Sequence, residues 1–331
     1  MATKFLLTFD NLNHLEKCVL KLAVSKIINL SSPAFAAEFQ KAIDISKFQE
    51  LSKLKPPSFI TEKEEDEIKG IFEKCKQSVF VENKPVSFDI EVGKEGQIGY
   101  ILMFMKSKFS QWKYFAATAA EEEEEDSEGC RKKRRREELD EEIVIETIKE
   151  ILNTLFADTF MHWKSGENTT IASKRMKIAN ELSSSNKESC KNVMGRRSDL
   201  ILYNSKKTAL CLSEAKNGRS TSDDISQQSK SIRCSKSLQA YNRLIGGSTS
   251  IWSFGWSGTR GRLYSLVKYE GVDVVLPGRT LCLPTTADRI ESLQATLIAF
   301  YELKNFISSY NRELVDEFVK VNEHEQVFHS P

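Results

Sequence analysis

The chain has 331 residues, with 48 Lys and Arg against 47 Asp and Glu, for a formal net charge of +1. Hydrophobic residues make up 40% and charged residues 29%, which fits folded domains plus a solvated segment and excludes a wholly disordered chain. No run approaches the ~20 apolar residues that a membrane-spanning helix needs, and near-neutrality argues at face value against a nucleic-acid partner.

The N-terminal residues lack the apolar core and small-residue cleavage site of a signal peptide, so an intracellular protein is expected. Cys18, Cys75, Cys130, Cys190, Cys211, Cys234 and Cys282 are odd in number and form no CxxC pair, which argues against a disulfide framework or a zinc site. His14, His162, His324 and His329 are far apart in sequence, and neither a phosphate-binding P-loop nor a dinucleotide glycine fingerprint is present.

Residues 1–116 read as an α+β domain of unknown role. TKFLLTF is strand-like, and residues around 12–29 and 33–53 have helical spacing. Thr61 followed by Glu64 is a capping box that opens a charged helix to about Lys76. SVFV, VSFDIEV and IGYILMFM then read as strands, the last two joined by a turn at Gly93–Gly96. In KSKFSQWKYF, Lys106, Lys108 and Lys113 interleave with Phe109, Trp112 and Tyr114; closure of a core edge is favoured over a nucleic-acid grip.

Residues 117–142 carry an acidic block, Glu121 to Asp126, followed by a basic one. Like-charge blocks of this length do not pack, so a disordered linker is expected. The basic run Arg131, Lys132, Lys133, Arg134, Arg135 and Arg136 has the form of a nuclear localisation signal, which predicts a nuclear import receptor as partner and a nuclear location.

After the linker, residues 143–320 read as a second domain, with a short tail at 321–331. DEEIVIETIKEILNTLFADTF is an amphipathic helix with Ile145, Ile148, Leu152 and Leu155 on one face. A second helix lies around Lys174 to Leu182. DLILY and TALCLSEAK flank the polar turn NSKK and form an antiparallel hairpin. A four-residue loop pairs Tyr203 with Thr208 and sets Asp199 opposite Leu212. Asp199, Glu214 and Lys216 then share a face, with the two acids as diagonal neighbours ~7–8 Å apart at the backbone. Two carboxylates at such spacing suit Mg²⁺, and an ammonium beside them suits stabilisation of charge on a pentavalent phosphorus. E-x-K itself occurs three times, at Glu67/Lys69, Glu214/Lys216 and Glu302/Lys304. The first and last fall in helical patterns, where residues two apart do not face each other.

This hairpin resembles the PD-(D/E)XK nuclease superfamily, with its restriction-endonuclease-like fold. The resemblance rests on Asp199, Glu214 and Lys216 and extends in layout over about residues 143–310. Ser198 stands where the family has Pro. The resemblance implies an α/β domain with a mixed central sheet flanked by helices, Mg²⁺ (or Mn²⁺) on Asp199 and Glu214, and catalysis by Asp199, Glu214 and Lys216. It also implies an acid from the preceding helix, for which Glu146 or Glu150 is available. A Gln or Lys from the helix after E-x-K is implied as well, and SDDISQQSKSIRCSKSLQAYNRL offers Gln228, Lys230, Lys236 and Gln239, with Gln228 and Lys236 ranked first.

STSIWSFGWSG, GRLYSLVKY and VDVVLPG read as further strands, with Trp252, Phe254 and Trp256 on one core-facing side, and a helix over 285–320 closes the domain. From Lys164 to Arg243 there are 16 Lys and Arg and 7 Asp and Glu, a local net of +9. Such a window rewards a phosphate backbone, DNA or RNA, and Arg196, Arg197 and Lys236 are its candidate contacts. Mg²⁺-dependent phosphodiester hydrolysis is thus the leading expectation. Its rivals are a catalytically inactive nucleic-acid-binding protein of the same fold and a nuclear protein-interaction module.

Overall fold

The computed structural model describes residues 9–82, 93–125, 141–183, 196–216, 220–246 and 250–328. Its centre is a seven-stranded mixed sheet of β1 (Ile27–Asn29), β2 (His162–Thr169), β3 (Arg197–Tyr203), β4 (Ala209–Lys216), β5 (Ile251–Ser257), β6 (Arg260–Tyr269) and β7 (Val272–Cys282), in the spatial order β1-β7-β6-β5-β4-β3-β2. The β1/β7 and β4/β5 neighbours are parallel, and the others are antiparallel. The helices are α1 (His14–Val24), α2 (Pro33–Gln40), α3 (Ile45–Lys53), α4 (Glu62–Lys76), α5 (Lys94–Glu125), α6 (Glu141–Leu155), α7 (Ile171–Ser183), α8 (Thr221–Leu244) and α9 (Ser292–Phe328).

Strand alternation sends side chains to two cores. On one face, Leu200, Leu202, Trp252, Phe254 and Trp256 meet Ile68 and Phe72 of α4, Ile101 and Leu102 of α5, Ile148 and Leu152 of α6, and Leu297 and Phe300 of α9. On the other, Ile201, Leu212, Ile251, Leu266 and Val275 meet Leu22 of α1, Phe35 and Phe39 of α2, and Ile232 and Leu238 of α8. The sheet therefore lies between two helical layers. Among the described residues no helix is long and apolar enough to cross a membrane.

Elements on both sides of residues 126–140 contribute to these cores. β1 hydrogen-bonds to β7, and α4 and α5 share one hydrophobic cluster with α6 and α9.

Two expected strands are helical instead. IGYILMFM belongs to α5 and SVFV to a short π-helical turn, Gln77–Val81. Ile98, Ile101, Leu102, Met105, Phe109 and Trp112 recur at intervals of three and four, and all are buried, so the apolar run is one face of a helix. Lys94 begins that helix where a hairpin turn was expected. Phe109 and Trp112 pack in the core as ring neighbours, with centroids 5.9 Å apart. α5 also continues through Glu125, past the expected linker start at 117. Its Ala116–Glu125 stretch has strong helix formers and no Gly or Pro. The expected strands at TKFLLTF and VSFDIEV, and the basic block 131–136, lie outside the described residues.

β2 occupies a stretch that reads as a polar loop. The Thr61 capping box is formed as expected, with the Thr61 hydroxyl accepting from Glu64 N–H and the Glu64 carboxylate accepting from Thr61 N–H. The two helices flanking the hairpin and the three later strands also fall where the pattern put them, while the closing helix, expected over 285–320, runs Ser292–Phe328 and takes in most of the expected tail.

Candidate functional site

The β3–β4 hairpin positions the acids. Its loop is five residues long, not four: Tyr203 pairs with Ala209, and Asn204 Oδ1 ties the loop by accepting from Lys206 N–H at 3.1 Å and Thr208 N–H at 2.9 Å. That loop alone would put Asp199 and Glu214 on opposite faces. A β-bulge corrects it, because Leu202 pairs with Cys211 and the register slips by one. Leu210 and Cys211 consequently both face the same core. From there Ile201 pairs with Leu212 and Leu200 with Ser213. Asp199 and Glu214, the next residues on each strand, turn to the face that α8 covers. They are direct cross-strand neighbours rather than the expected diagonal pair. Lys216, two residues on from Glu214, starts on that face by alternation, but at the strand end its ammonium reaches Glu141 of α6 in the other layer.

The backbone ladder gives way to side-chain bonding at this point. Asp199 Oδ2 accepts the Ala215 N–H at 2.7 Å. Glu214 is only 1% exposed, and its Oε2 accepts from Lys230 Nζ of α8 at 2.6 Å. Its Oε1 is buried and makes no close hydrogen bond among the described residues, with the Ser198 hydroxyl near enough to favour the ionised form weakly. Burial pushes the Glu214 carboxyl up to about 7; Lys230 opposes the rise, and the Asp199 charge adds to it. At Lys230 burial disfavours the charge, but Glu214 and then Asp199 outweigh it and hold the ammonium's pKa raised. Lys230 therefore lies in the field of both acids. Lys216 is half-exposed at the strand end, its Nζ 3.6 Å from Glu141 at the start of α6.

The location follows from topology. β4, α8 and parallel β5 form a crossover unit, and Glu214 and Lys216 lie at the carboxyl end of β4 beside the carboxyl end of β5. In open α/β sheets that end is where ligands bind. α8 starts there, with the Ser220 hydroxyl accepting from Asp223 N–H at 3.1 Å.

Other expected contributors lie elsewhere. Lys236, expected on a nucleic-acid surface, is turned inward. It pairs with buried Asp273 at 2.5 Å and donates to the Ser25 carbonyl. A carboxylate that is 1% exposed requires a partner, and Lys236 and Lys268 supply it. Gln228 donates to Ser31 Oγ at 3.0 Å, away from the acids. Glu146 pairs with Lys149 one turn on at 2.8 Å, and that contact, followed by Ser165, holds its carboxyl below the usual range. Glu150, on the same helix, makes no ion pair with a described residue. The helix acid that reaches Lys216 is Glu141, which the sequence pattern did not single out. Arg196 and Arg197 are exposed at the head of β3, at the same end of the sheet as the acids.

Among the described residues no group of three or more His, Cys, Asp or Glu side chains is placed to hold a metal. The site offers two carboxylates. Among the described residues, one has a buried oxygen that Lys230 does not hold, and the other has a second oxygen beyond the one bonded to Ala215 N–H. That donor set fits Mg²⁺, which takes one or two carboxylates and completes its octahedron with water and phosphate oxygens. No protein-family model matches the chain, and neither the curated proteins nor the solved structures yield a match.

Proposed function

We propose that the protein hydrolyses phosphodiester bonds of nucleic acid with Mg²⁺ (or Mn²⁺), and that residues 143–320 are a restriction-endonuclease-like catalytic unit. The observation that carries this reading is the pair Asp199 and Glu214, brought to one face of adjacent strands at the carboxyl end of β4, with a buried Glu214 oxygen that Lys230 does not hold. The mixed sheet between helical layers supports the fold assignment.

Asp199 and Glu214 would hold the ion. When bound it polarises a phosphoryl oxygen and lowers the pKa of a coordinated water. The chain's own groups do the rest. Lys230 fixes one oxygen of Glu214, which would leave the other for the ion. Lys216 would swing from its contact with Glu141, 3.6 Å away, to stabilise charge on the pentavalent phosphorus. Arg196 and Arg197 at the strand head hold phosphates beside the scissile one. Water oxygen would bond to phosphorus as it gives up a proton to solvent, the ester P–O bond breaks, and the departing oxygen takes a proton from solvent.

One observation favours the second reading, an inactive nucleic-acid-binding descendant of such enzymes. The Lys230 ammonium already neutralises Glu214 without any metal. A cleavage assay on single- and double-stranded DNA and RNA separates the two. Wild type cuts at least one substrate with Mg²⁺ and none in EDTA, and Asp199→Ala lowers the rate at least ~100-fold. Binding without cutting establishes the second reading. For residues 131–136 we propose recognition by a nuclear import receptor. A reporter fused to residues 126–140 accumulates in the nucleus, and replacing the six basic residues by Ala abolishes this.

A further inference from the structure

Arg260 stands at the head of β6, directly after the two-residue turn Gly258–Thr259 that joins β5 to β6. Main-chain bonds pin this turn on both sides. Gly258 N–H donates to the Lys216 carbonyl at 2.6 Å, and the Thr259 carbonyl accepts from Leu283 N–H at 2.8 Å. Within the sheet, Ser257 pairs with Lys216 of β4 and with Arg260 of β6. Register thus carries one row of residues across the carboxyl rim of the sheet. Arg197 lies two residues before Asp199 on β3, Lys216 two beyond Glu214 on β4, and Arg260 opposite Ser257. Alternation puts Arg260 with Tyr264 and Leu266 on the face that α8 covers, the face of the two acids. From β3 to β6 is three strand spacings, roughly 14 Å.

The two arginines of β6 are held differently. Arg262 is committed: its Nη1 donates to the Ser31 carbonyl, and Gln228 of α8 donates to the hydroxyl of the same serine at 3.0 Å. Arg260 is exposed, and among the described residues its side chain makes no ion pair and no hydrogen bond. Its cross-strand partners, Ser257 and Cys282, are uncharged, so the ladder offers it no acid. Asp224 of α8 is fixed at this row by accepting from the Ser257 hydroxyl at 2.6 Å, and it makes no ion pair with Arg260. An unpaired guanidinium on a pinned strand is a fixed positive point, and its planar donor fork matches phosphate. A nucleic-acid strand offers one phosphate per ~3.4 Å of duplex axis, so about four would bridge the distance from β3 to β6.

We propose that Arg260 holds a backbone phosphate on the β6 side of the site, while Arg196 and Arg197 hold phosphates on the β3 side. The strand then crosses the carboxyl rim of the sheet, transverse to β4, with the scissile phosphate between the two anchors. The proposal rests on the phosphodiesterase reading and gives the substrate a direction across it.

The test is binding of a short fluorescent single-stranded oligonucleotide to the full chain in EDTA, over about 50–200 mM salt. Wild type shows a negative slope of log K against log salt. Arg260→Ala and Arg197→Ala each make that slope shallower by ~0.7, the single-strand value for one phosphate contact, and the double variant by ~1.4, because the two hold different phosphates. Arg260→Lys keeps the slope. Arg262→Ala, which removes a guanidinium committed to Ser31, leaves it unchanged, as does Lys41→Ala, an exposed lysine paired with Glu38. Should Arg260→Ala unfold, Arg260→Gln carries the same expected loss. An unchanged slope in a folded Arg260 variant overturns the proposal. So does an equal loss from Arg262→Ala, which would mean a diffuse basic surface, and so does a wild type that binds no oligonucleotide. A wild type that cleaves with Mg²⁺ while Arg260→Ala keeps the full slope retains the phosphodiesterase and loses the Arg260 contact. A wild type that binds with the predicted slope changes but never cleaves does the reverse.

Discussion

Glu214 is a carboxyl buried against one of the chain's own lysines, and its proton affinity is the most testable property of the site. Its folded pKa, about 7, stands above the unfolded value of 4.5. Between those values the folded protein holds a proton that the unfolded chain has released. Stability therefore falls as pH rises from about 4.5 to about 7, by on the order of 3 kcal/mol at most. Glu214→Gln removes that fall and leaves a pH-independent offset from the orphaned Lys230. Urea denaturation in EDTA between about pH 5 and 8 checks this, and parallel profiles for the two proteins would sink it. Lys230→Met should cost more at about pH 8 than at about pH 6, because at low pH Glu214 escapes the missing partner by taking a proton. At this scale the acids and Lys216 were readable, since strand alternation and a polar turn place them. The five-residue loop and the bulge were not readable, yet they cancel, so the shared face survives with a different pairing. Lys230 was one of four similar candidates on its helix. Glu141 was hidden among Glu142, Glu146 and Glu150, whose positions differ only by helical rotation.

Among the elements, α8 is unusual in burying polar side chains. Ser231 Oγ lies 2.6 Å from Tyr264 Oη, Ser235 Oγ bonds to Ser253 Oγ at 2.9 Å, and Asn242 donates to the Ala209 carbonyl at 3.2 Å. A helix with serines inside and lysines at the rim has no apolar stripe, which is why sequence periodicity could not tell which of its residues faces the acids. Tyr264→Phe takes the side-chain partner from buried Ser231 and should cost about 1–2 kcal/mol in denaturation. The β5–β6 hairpin is as tightly specified. A Cβ at Gly261 would meet the Gly255 carbonyl and the Trp256 ring at 2.8 Å. Gly261→Ala should therefore cost about 1–3 kcal/mol through overpacking. The failure at α5 has a different cause. IGYILMFM is short and uniformly apolar, so within eight residues it fits a strand or a buried helix. Only the extension to Phe109 and Trp112 discloses the period of three and four.

For the molecule as a whole, the described part of the first 125 residues supplies an edge strand, α4 and α5 to one core, α1 and α2 to the other, and α3 to a small cluster on β7. β1 covers the β7 edge, and α4 and α5 complete the cluster beneath Trp252 and Phe254. A chain beginning at Glu141 would expose that surface and an open strand edge. It should show no cooperative thermal transition, whereas a cooperative one would mean that the second half is self-sufficient. No sequence pattern announced this, because β1 is three residues long and pairs across more than two hundred. The order of elements after Glu141 was largely legible, since β-branched runs, glycine turns and an amphipathic closing helix mark it directly. The near-zero net charge conceals a basic window around the β3–β4 hairpin. The central claim is that Asp199 and Glu214 jointly hold a divalent ion, and calorimetric titration of the metal-free full chain with Mn²⁺ tests it most directly. Saturable binding is predicted for wild type, and its loss in both Asp199→Asn and Glu214→Gln with folding intact. Equal binding in either folded variant, or none in wild type, would contradict the account.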